Sequence, residues 1–398
     1  MHGSKSRTSS PSVASRRIAL FDGAFRPFFL AGALWGAIAL GLWVARFQGA
    51  IVFDGPLDPL AWHIHEMLFG FVFAAVAGFL LTAIPNWTGR PPVRGAGLAA
   101  LAALWIVGRL VSTVALPIPF ATAAAIDVAF AVALGLVAAR EIVLARNWRN
   151  LRVMLPVALL GGANLLLWLE AGGTAVPAGL GWRLGLAAII TLVSVIASRI
   201  VPAFTRNWLL RERPTIQLSL NRWTDRIAMA TLHLGLIGWA IFPESRVAGV
   251  LLLAAAVANA IRLAGWRGVR TATEPLLLIL HFGYLWIAIG AALLGASMLW
   301  SAVPLAAAIH ALTAGAIGTM ILGVMTRVSL GHSGRALTAD GVTTGLYGAV
   351  LAAGIIRVAA AFSATLAMPL ITISAGLWVV AFLVFALRYA PILILPRR

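Results

Sequence analysis

The stretch Ala61-Trp62-His63-Ile64-His65-Glu66-Met67-Leu68-Phe69-Gly70-Phe71-Val72-Phe73-Ala74-Ala75-Val76-Ala77-Gly78-Phe79-Leu80-Leu81-Thr82-Ala83-Ile84-Pro85 decides the fold. It contains no lysine or arginine, and its only carboxylate, Glu66, stands with His63 and His65 near its start. The rest is apolar or small. About 20 apolar residues are needed for a helix to cross ~30 Å of hydrocarbon. Within hydrocarbon every backbone N–H and C=O must be satisfied internally, which a helix does. The stretch therefore reads as a transmembrane helix.

The pattern recurs along the whole chain. Of 398 residues 61% are hydrophobic and 11% charged, whereas an ordinary soluble domain carries about 25% charged residues. Twelve spans are expected, at 28–46, 61–85, 97–116, 118–139, 153–170, 180–202, 226–243, 247–264, 275–297, 302–326, 343–363 and 366–388. The fold class is all-α, a polytopic membrane protein with about twelve transmembrane helices. Residues 1–25 read as a disordered basic N-terminal segment and 26–398 as one twelve-span domain.

The net charge of +18 comes from dispersed short basic clusters, which argues against nucleic acid and for membrane orientation. Of the 30 Lys and Arg residues, 25 fall in the N-terminal segment, in the loops after spans 2, 4, 6, 8 and 10, or at the C-terminal end. The positive-inside rule places both termini in the cytoplasm. The ends of spans 2, 6 and 10 look alike, as in Pro85-Asn86-Trp87-Thr88-Gly89-Arg90 and Pro202-Ala203-Phe204-Thr205-Arg206-Asn207-Trp208. Three four-helix units would produce that recurrence; a six-plus-six transporter also suits twelve spans. Fifteen tryptophans suit interfacial belts.

No cysteine is present. This excludes disulfides, iron–sulfur clusters, thiolate-ligated haem and covalent haem attachment through C-x-x-C-H. Six of seven histidines lie in or beside spans, where an ionisable residue is costly and a functional candidate. Successive helical residues are about 100° apart, so His63 and His65 point to nearly opposite sides of span 2. Glu66, three residues from His63, is expected to orient that imidazole. His310 enters span 10 at similar depth, and small residues on its face (Thr313, Ala314, Gly318, with Gly315 nearby) admit a flat macrocycle or a close-packed helix. His233 in span 7 and His281 in span 9 form a deeper group, with Tyr284 one turn after His281. Metal ligands are sought among His63, His65, His233, His281 and His310; neutral imidazole suits haem iron and copper. Arg109 and Asp127 reach similar depth on adjacent spans and read first as an ion pair, with a proton-pathway role for Asp127 as the alternative. Arg357 is a further intramembrane charge.

Three blocks make the chain similar to the NnrS family. They are Phe25-Arg26-Pro27-Phe28-Phe29, the stretch from Trp62-His63-Ile64-His65-Glu66-Met67 to Pro85-Asn86-Trp87-Thr88-Gly89-Arg90, and His310-Ala311-Leu312-Thr313-Ala314-Gly315 through Met325-Thr326-Arg327 to Gly331-His332-Ser333-Gly334-Arg335. The resemblance implies a bacterial inner-membrane protein containing haem and copper and linked to nitric oxide and nitrosative stress. With no cysteine for attachment it implies haem b, with copper or a second iron as a further metal. Cofactor-binding candidates are His63, His65, His310 and His281, with Arg327 and His332 from the third block. Glu66 and Tyr284 are the catalytic candidates, as proton carriers. The resemblance also implies nitric oxide as ligand, and a quinol or another membrane donor would supply electrons.

Catalytic subunits of haem–copper oxidases and nitric oxide reductases also have twelve spans in three four-helix arcs, with haem histidines on spans 2 and 10. Span 6 carries no histidine in this chain, a departure that counts against a binuclear centre. Such likeness is a weak warrant for function. Three readings stand: a haem enzyme reducing nitric oxide, a non-enzymatic haem, metal or nitric oxide-handling protein, and a metal-free transporter.

Overall fold

The computed structural model describes residues 18–397. Twelve long helices run through them, and no strand occurs among the described residues. They are α1 Phe25–Phe47, α2 Pro59–Thr88, α3 Ala96–Thr113, α4 Phe120–Leu144, α5 Trp148–Ala171 and α6 Leu180–Glu212. Then follow α7 Arg222–Ile241, α8 Arg246–Gly265, α9 Pro275–Leu299, α10 Leu305–His332, α11 Gly341–Ala360 and α12 Ala367–Ile394. Eleven of them are long and apolar enough to cross a membrane. The twelfth, α7, begins with Arg222, Asp225 and Arg226, which lower its hydropathy although its later half is apolar. The chain is a multi-pass membrane protein, as its sequence leads one to expect.

Helix ends outrun the expected spans. α6 has 33 residues, about 50 Å at 1.5 Å per residue, and continues ten residues past the expected end. Hydropathy reads the thickness of the hydrocarbon, whereas the helix goes on through its polar flank. Residues 1–17 of the expected N-terminal segment lie outside the described residues. Residues 18–24 are described: the Ala19 backbone N–H donates to the Ile394 carbonyl at 2.7 Å. The buried Arg26 guanidinium donates to the carbonyls of Leu393 (2.9 Å) and Leu395 (2.6 Å), so it caps the last turn of α12.

Consecutive helices joined by short loops pack side by side, and α12 returns to α1. At the centre α2, α6 and α10 touch one another. The most apolar window of α2 is 72% buried, against 28% for α4. The windows of α9 and α10, each 67% buried, come close to that of α2, and α6 follows at 56%.

The tryptophans depart from the expected belts. Trp62, Trp105, Trp168, Trp208, Trp239, Trp266, Trp286 and Trp378 are buried. Several aim the indole N–H at an internal acceptor: Trp62 at Thr113 Oγ1 (3.2 Å), Trp105 at the Gly70 carbonyl (3.1 Å) and Trp378 at the Gly36 carbonyl (3.1 Å). An indole has one donor and a large apolar body, so it fills a helix crossing wherever a free carbonyl or hydroxyl lies in reach.

On the Arg-rich end, Asp340 caps α11. Its carboxylate accepts from the Thr343 N–H at 2.8 Å and pairs with Arg388 Nη2 at 2.7 Å. The Thr343 hydrogen bonds, and after them Arg388, hold its carboxyl down at about 2.

Candidate functional site

Both histidine-bearing helices are locally widened. Glu66–Phe71 in α2 and Ala311–Ile317 in α10 are π turns; in the first, the Val72 N–H reaches back to the Met67 carbonyl. In an α-helix four residues overshoot a full turn by about 40°, so a row of side chains spaced by four drifts around the helix. A π turn bonds i to i+5 and holds more residues per turn. The row then stays on one side. On α2 the rows His63, Met67, Phe71 and Leu60, Ile64, Leu68, Val72 all line one cavity. On α10 the rows Ala306, His310, Ala314 and Leu305, Ile309, Thr313, Ile317 line the same cavity from the other side.

The cavity measures about 390 Å³, within the usual range for small-molecule and cofactor sites of about 300–1,000 Å³. Residues of α1, α6, α11 and α12 complete its wall, among them Trp43, Trp182, Arg357 and Trp378. It lies at the starts of α2, α6 and α10, opposite the Arg-rich loops.

His310 and His63 each present a nitrogen that the protein does not use. His310 Nδ1 lies 2.7 Å from the Ala306 carbonyl. A carbonyl only accepts, so Nδ1 carries the hydrogen and the lone pair sits on Nε2. That arrangement is the usual one for a metal-ligating histidine. His63 makes no hydrogen bond with any described residue, and its Nδ1 is buried. Its ring stacks on Trp43, centroids 4.5 Å apart and planes 13° apart. Both histidines share the cavity wall with Arg357.

Of the small residues on α10, Thr313 and Ala314 line the cavity. Gly315 and Gly318 instead admit the rings of Trp286 on α9 and Trp378 on α12. The face expected to admit either a macrocycle or a packed helix is thus divided between cavity wall and helix contacts.

His65 faces away from this cavity. It is fully buried, with Nδ1 2.8 Å from Glu66 Oε1 and Nε2 2.9 Å from Asp127 Oδ2. Arg109 donates to Glu66 Oε2 at 2.9 Å and also pairs with Asp127 Oδ1, the ion pair expected between spans 3 and 4. Ser112 (2.6 Å) and Trp35 (2.7 Å) donate to Glu66; Asn164 (2.8 Å) and Trp168 (3.0 Å) donate to Asp127. With both carboxylates ionised, both ring nitrogens of His65 must donate. The ring is then a cation, and two cations balance two anions. Glu66 therefore serves His65 and Arg109, not His63 as its spacing suggests. The π turn starts at Glu66, and Arg109 approaches from α3, so the carboxylate turns to that side.

The remaining expected residues lie elsewhere. His281 Nε2 is 2.9 Å from Thr205 Oγ1, and its Nδ1 is buried without a partner. Tyr284 donates to Asn259 Oδ1 (2.6 Å) and accepts from Arg262 (2.8 Å), which also binds Asp225 (2.7 Å); no hydrogen bond joins it to His281. His233 Nε2 is 2.9 Å from Ser194 Oγ. Arg327 lies over the Phe204 ring at 4.1 Å, and the His332 ring is 5.6 Å from that of Phe25. His332 is 22 residues beyond His310 on one helix, about 33 Å at 1.5 Å per residue. Among the described residues, no three or more of His, Asp and Glu are grouped to hold a metal ion.

The geometry thus selects His63 and His310 from the expected set and adds Trp43 and Arg357. Arg357 carried a signal in the sequence, as an intramembrane charge. Trp43 carried none.

The family model described as NnrS protein matches residues 19–397 of the chain. The chain belongs to the NnrS family. A comparison with curated proteins finds no match. As an NnrS-family member the chain places two blocks of the resemblance, around His63 and around His310, on opposite walls of one cavity.

Proposed function

We propose that this NnrS-family protein holds haem b between α2 and α10 and acts on nitric oxide in a bacterial inner membrane. The observation that carries the reading is the pair of imidazoles, His63 and His310, that present unused nitrogens to one apolar cavity. The donor set suits haem iron, for which neutral histidine is the usual protein ligand. Two imidazoles without a third ligand do not make a separate site for copper or a second iron, so the reading is confined to one haem.

Each residue has a physical task. The Ala306 carbonyl fixes the His310 tautomer and ring orientation. Trp43 holds the His63 ring by stacking. The apolar walls exclude water and admit nitric oxide, which dissolves in hydrocarbon. When bound, the haem supplies a redox-active iron with affinity for nitric oxide.

Reduction follows 2 NO + 2 e⁻ + 2 H⁺ → N₂O + H₂O, with electrons from a quinol or another membrane donor. One observation favours a second reading, binding without turnover. If both histidines ligate one iron, no position is left for nitric oxide, and Glu66 and Asp127 lie on the far face of α2. The protein would then pass electrons or handle haem without binding nitric oxide at the iron.

The test is an absorption spectrum of detergent-purified protein, oxidised, reduced, and reduced with nitric oxide, with iron and copper analysis. A Soret band lost in His63→Ala or His310→Ala supports the site. A band that shifts with nitric oxide, followed by steady consumption with a reductant, supports catalysis over binding. Protein expressed with haem supplied that shows neither band nor iron overturns the reading and leaves the transporter.

A further inference from the structure

Arg357 is the only charged side chain on the cavity wall, and it has no partner. It makes no hydrogen bond or ion pair with any described residue, whereas three other arginines within the bundle do. Arg109 is held by Glu66 and Asp127, Arg262 by Asp225 and Tyr284, and Arg183 by the Ala240 carbonyl. The buried carboxylates are already taken: Glu66 and Asp127 by Arg109 and His65, Glu141 by Arg90. No acidic residue lines the cavity. A cation within a membrane span is expensive and normally faces a partner.

The fold brings Arg357 there by a close approach. A Cβ on Gly354 would stand 3.2 Å from the Gly315 Cα. α11 therefore lies directly against the widened turn of α10, and Arg357, three residues on, enters the cavity beside His310. Apolar walls, two imidazole nitrogens and one guanidinium together describe a ligand: a flat apolar ring system with a carboxylate at one edge. A guanidinium binds a carboxylate through two parallel hydrogen bonds.

We propose that Arg357 is the carboxylate-binding residue of this cavity and selects a porphyrin bearing a free propionate. The inference rests on the haem reading and adds a recognition element to it. Pairing neutralises the guanidinium and fixes which edge of the ring faces α11. It also sets the iron's electrostatics. With the cation gone, the unpaired carboxylate favours the ferric state, and the reduction potential falls.

The test uses the full chain expressed in a haem-deficient host and purified in detergent. It is titrated with metal-free protoporphyrin IX and with its dimethyl ester, and porphyrin fluorescence is read. The unaltered protein is expected to prefer the diacid by roughly tenfold or more, the scale of one charge-assisted hydrogen bond. Arg357→Met is expected to bind the two equally, with ester affinity unchanged, and Arg357→Lys to keep part of the preference. Diacid and ester binding equally to the unaltered protein overturns the inference, as does a preference that survives in Arg357→Met. Binding of neither porphyrin overturns the haem reading and this inference together. The diacid–ester comparison in the unaltered protein needs no variant. Haem-loaded Arg357→Met gives a second readout: a potential equal to that of the unaltered protein overturns the inference while the haem reading stands, and Arg357→Lys, which keeps the cation, is expected to stay near the unaltered value.

Discussion

His63 and His65 stand two residues apart on α2 and have opposite environments. His63 makes no hydrogen bond and faces the cavity, while His65 has a carboxylate on each ring nitrogen, Glu66 on Nδ1 and Asp127 on Nε2. The helical offset of about 200° between them separates a cavity-facing imidazole from a structural one. The structural one ties α2 to α3 and α4 and so fixes which way His63 points.

Substitution should separate the two roles. His65→Ala leaves Glu66 and Asp127 with one cation between them in a fully buried site, and breaking a buried charge network costs about 3–5 kcal/mol. His63→Ala breaks no hydrogen bond and should change stability by about 1 kcal/mol or less while removing pigment. Thermal unfolding in detergent of ligand-free protein gives the first comparison, and the Soret band per mole of protein the second. A His65→Ala protein as stable as the unaltered chain would refute the structural assignment.

Gly70 gives an independent test of the same network. A Cβ there would run into Arg109 Nη1, Glu66 Oε2 and Trp35 Nε1. None of these can retreat without losing a buried hydrogen bond. Gly70→Ala is expected to destabilise by about 1–3 kcal/mol, the usual cost of overfilling a packed interior. Gly97→Ala, where the added atom meets nothing within 4 Å, serves as the control and should be neutral or slightly stabilising because alanine is the better helix former.

Much of this was legible in the sequence. Apolar runs long enough to cross a bilayer fixed the helix number, including α7, whose charged start hides it from a hydropathy threshold. The opposite facing of His63 and His65 followed from helical geometry, and the Arg109–Asp127 pair from matched depth. The partner of Glu66 was not legible. Spacing rules assume 3.6 residues per turn, and the π turn begins at that residue. The joining of His63 with His310 was legible only as matched depth on spans 2 and 10, because nothing in a sequence states which of twelve helices lie against one another. The cavity needs a packing arrangement, with Gly354 against Gly315 and Trp378 in the notch of Gly318, that only the folded chain shows.

Asp340 makes a pH dependence measurable outside the membrane. Its carboxyl sits at about 2 in the folded protein, against an ordinary value near 3.9. A depressed carboxyl adds stability that is fully present above the unfolded value and lost as pH falls through the folded one. The window is therefore between pH ~4 and ~2. Asp340→Ala removes a helix cap worth about 1 kcal/mol, and the exposed pairing with Arg388 adds little to that. The difference in unfolding temperature from the unaltered protein should be constant from about pH 7 to 5 and shrink between about pH 4 and 2. A difference that grows on acidification would contradict the assignment.

Trp43 tests whether an aromatic wall holds the proposed ligand. Its ring lies parallel to His63 at 4.5 Å, and no hydrogen bond holds that imidazole, so stacking is its main restraint. An aromatic pair contributes about 0.5–1.5 kcal/mol beyond its buried area, enough to favour one ring orientation by severalfold. Trp43→Phe keeps a ring over His63 and should retain most of the pigment. Trp43→Ala lets the imidazole rotate and opens the cavity towards α1, so haem should dissociate several times faster, followed as loss of the Soret band to an excess of apomyoglobin. Equal dissociation rates in Trp43→Ala and the unaltered protein would mean that His63 is held by something other than its stack, and that α1 supplies cavity wall without orienting the ligand.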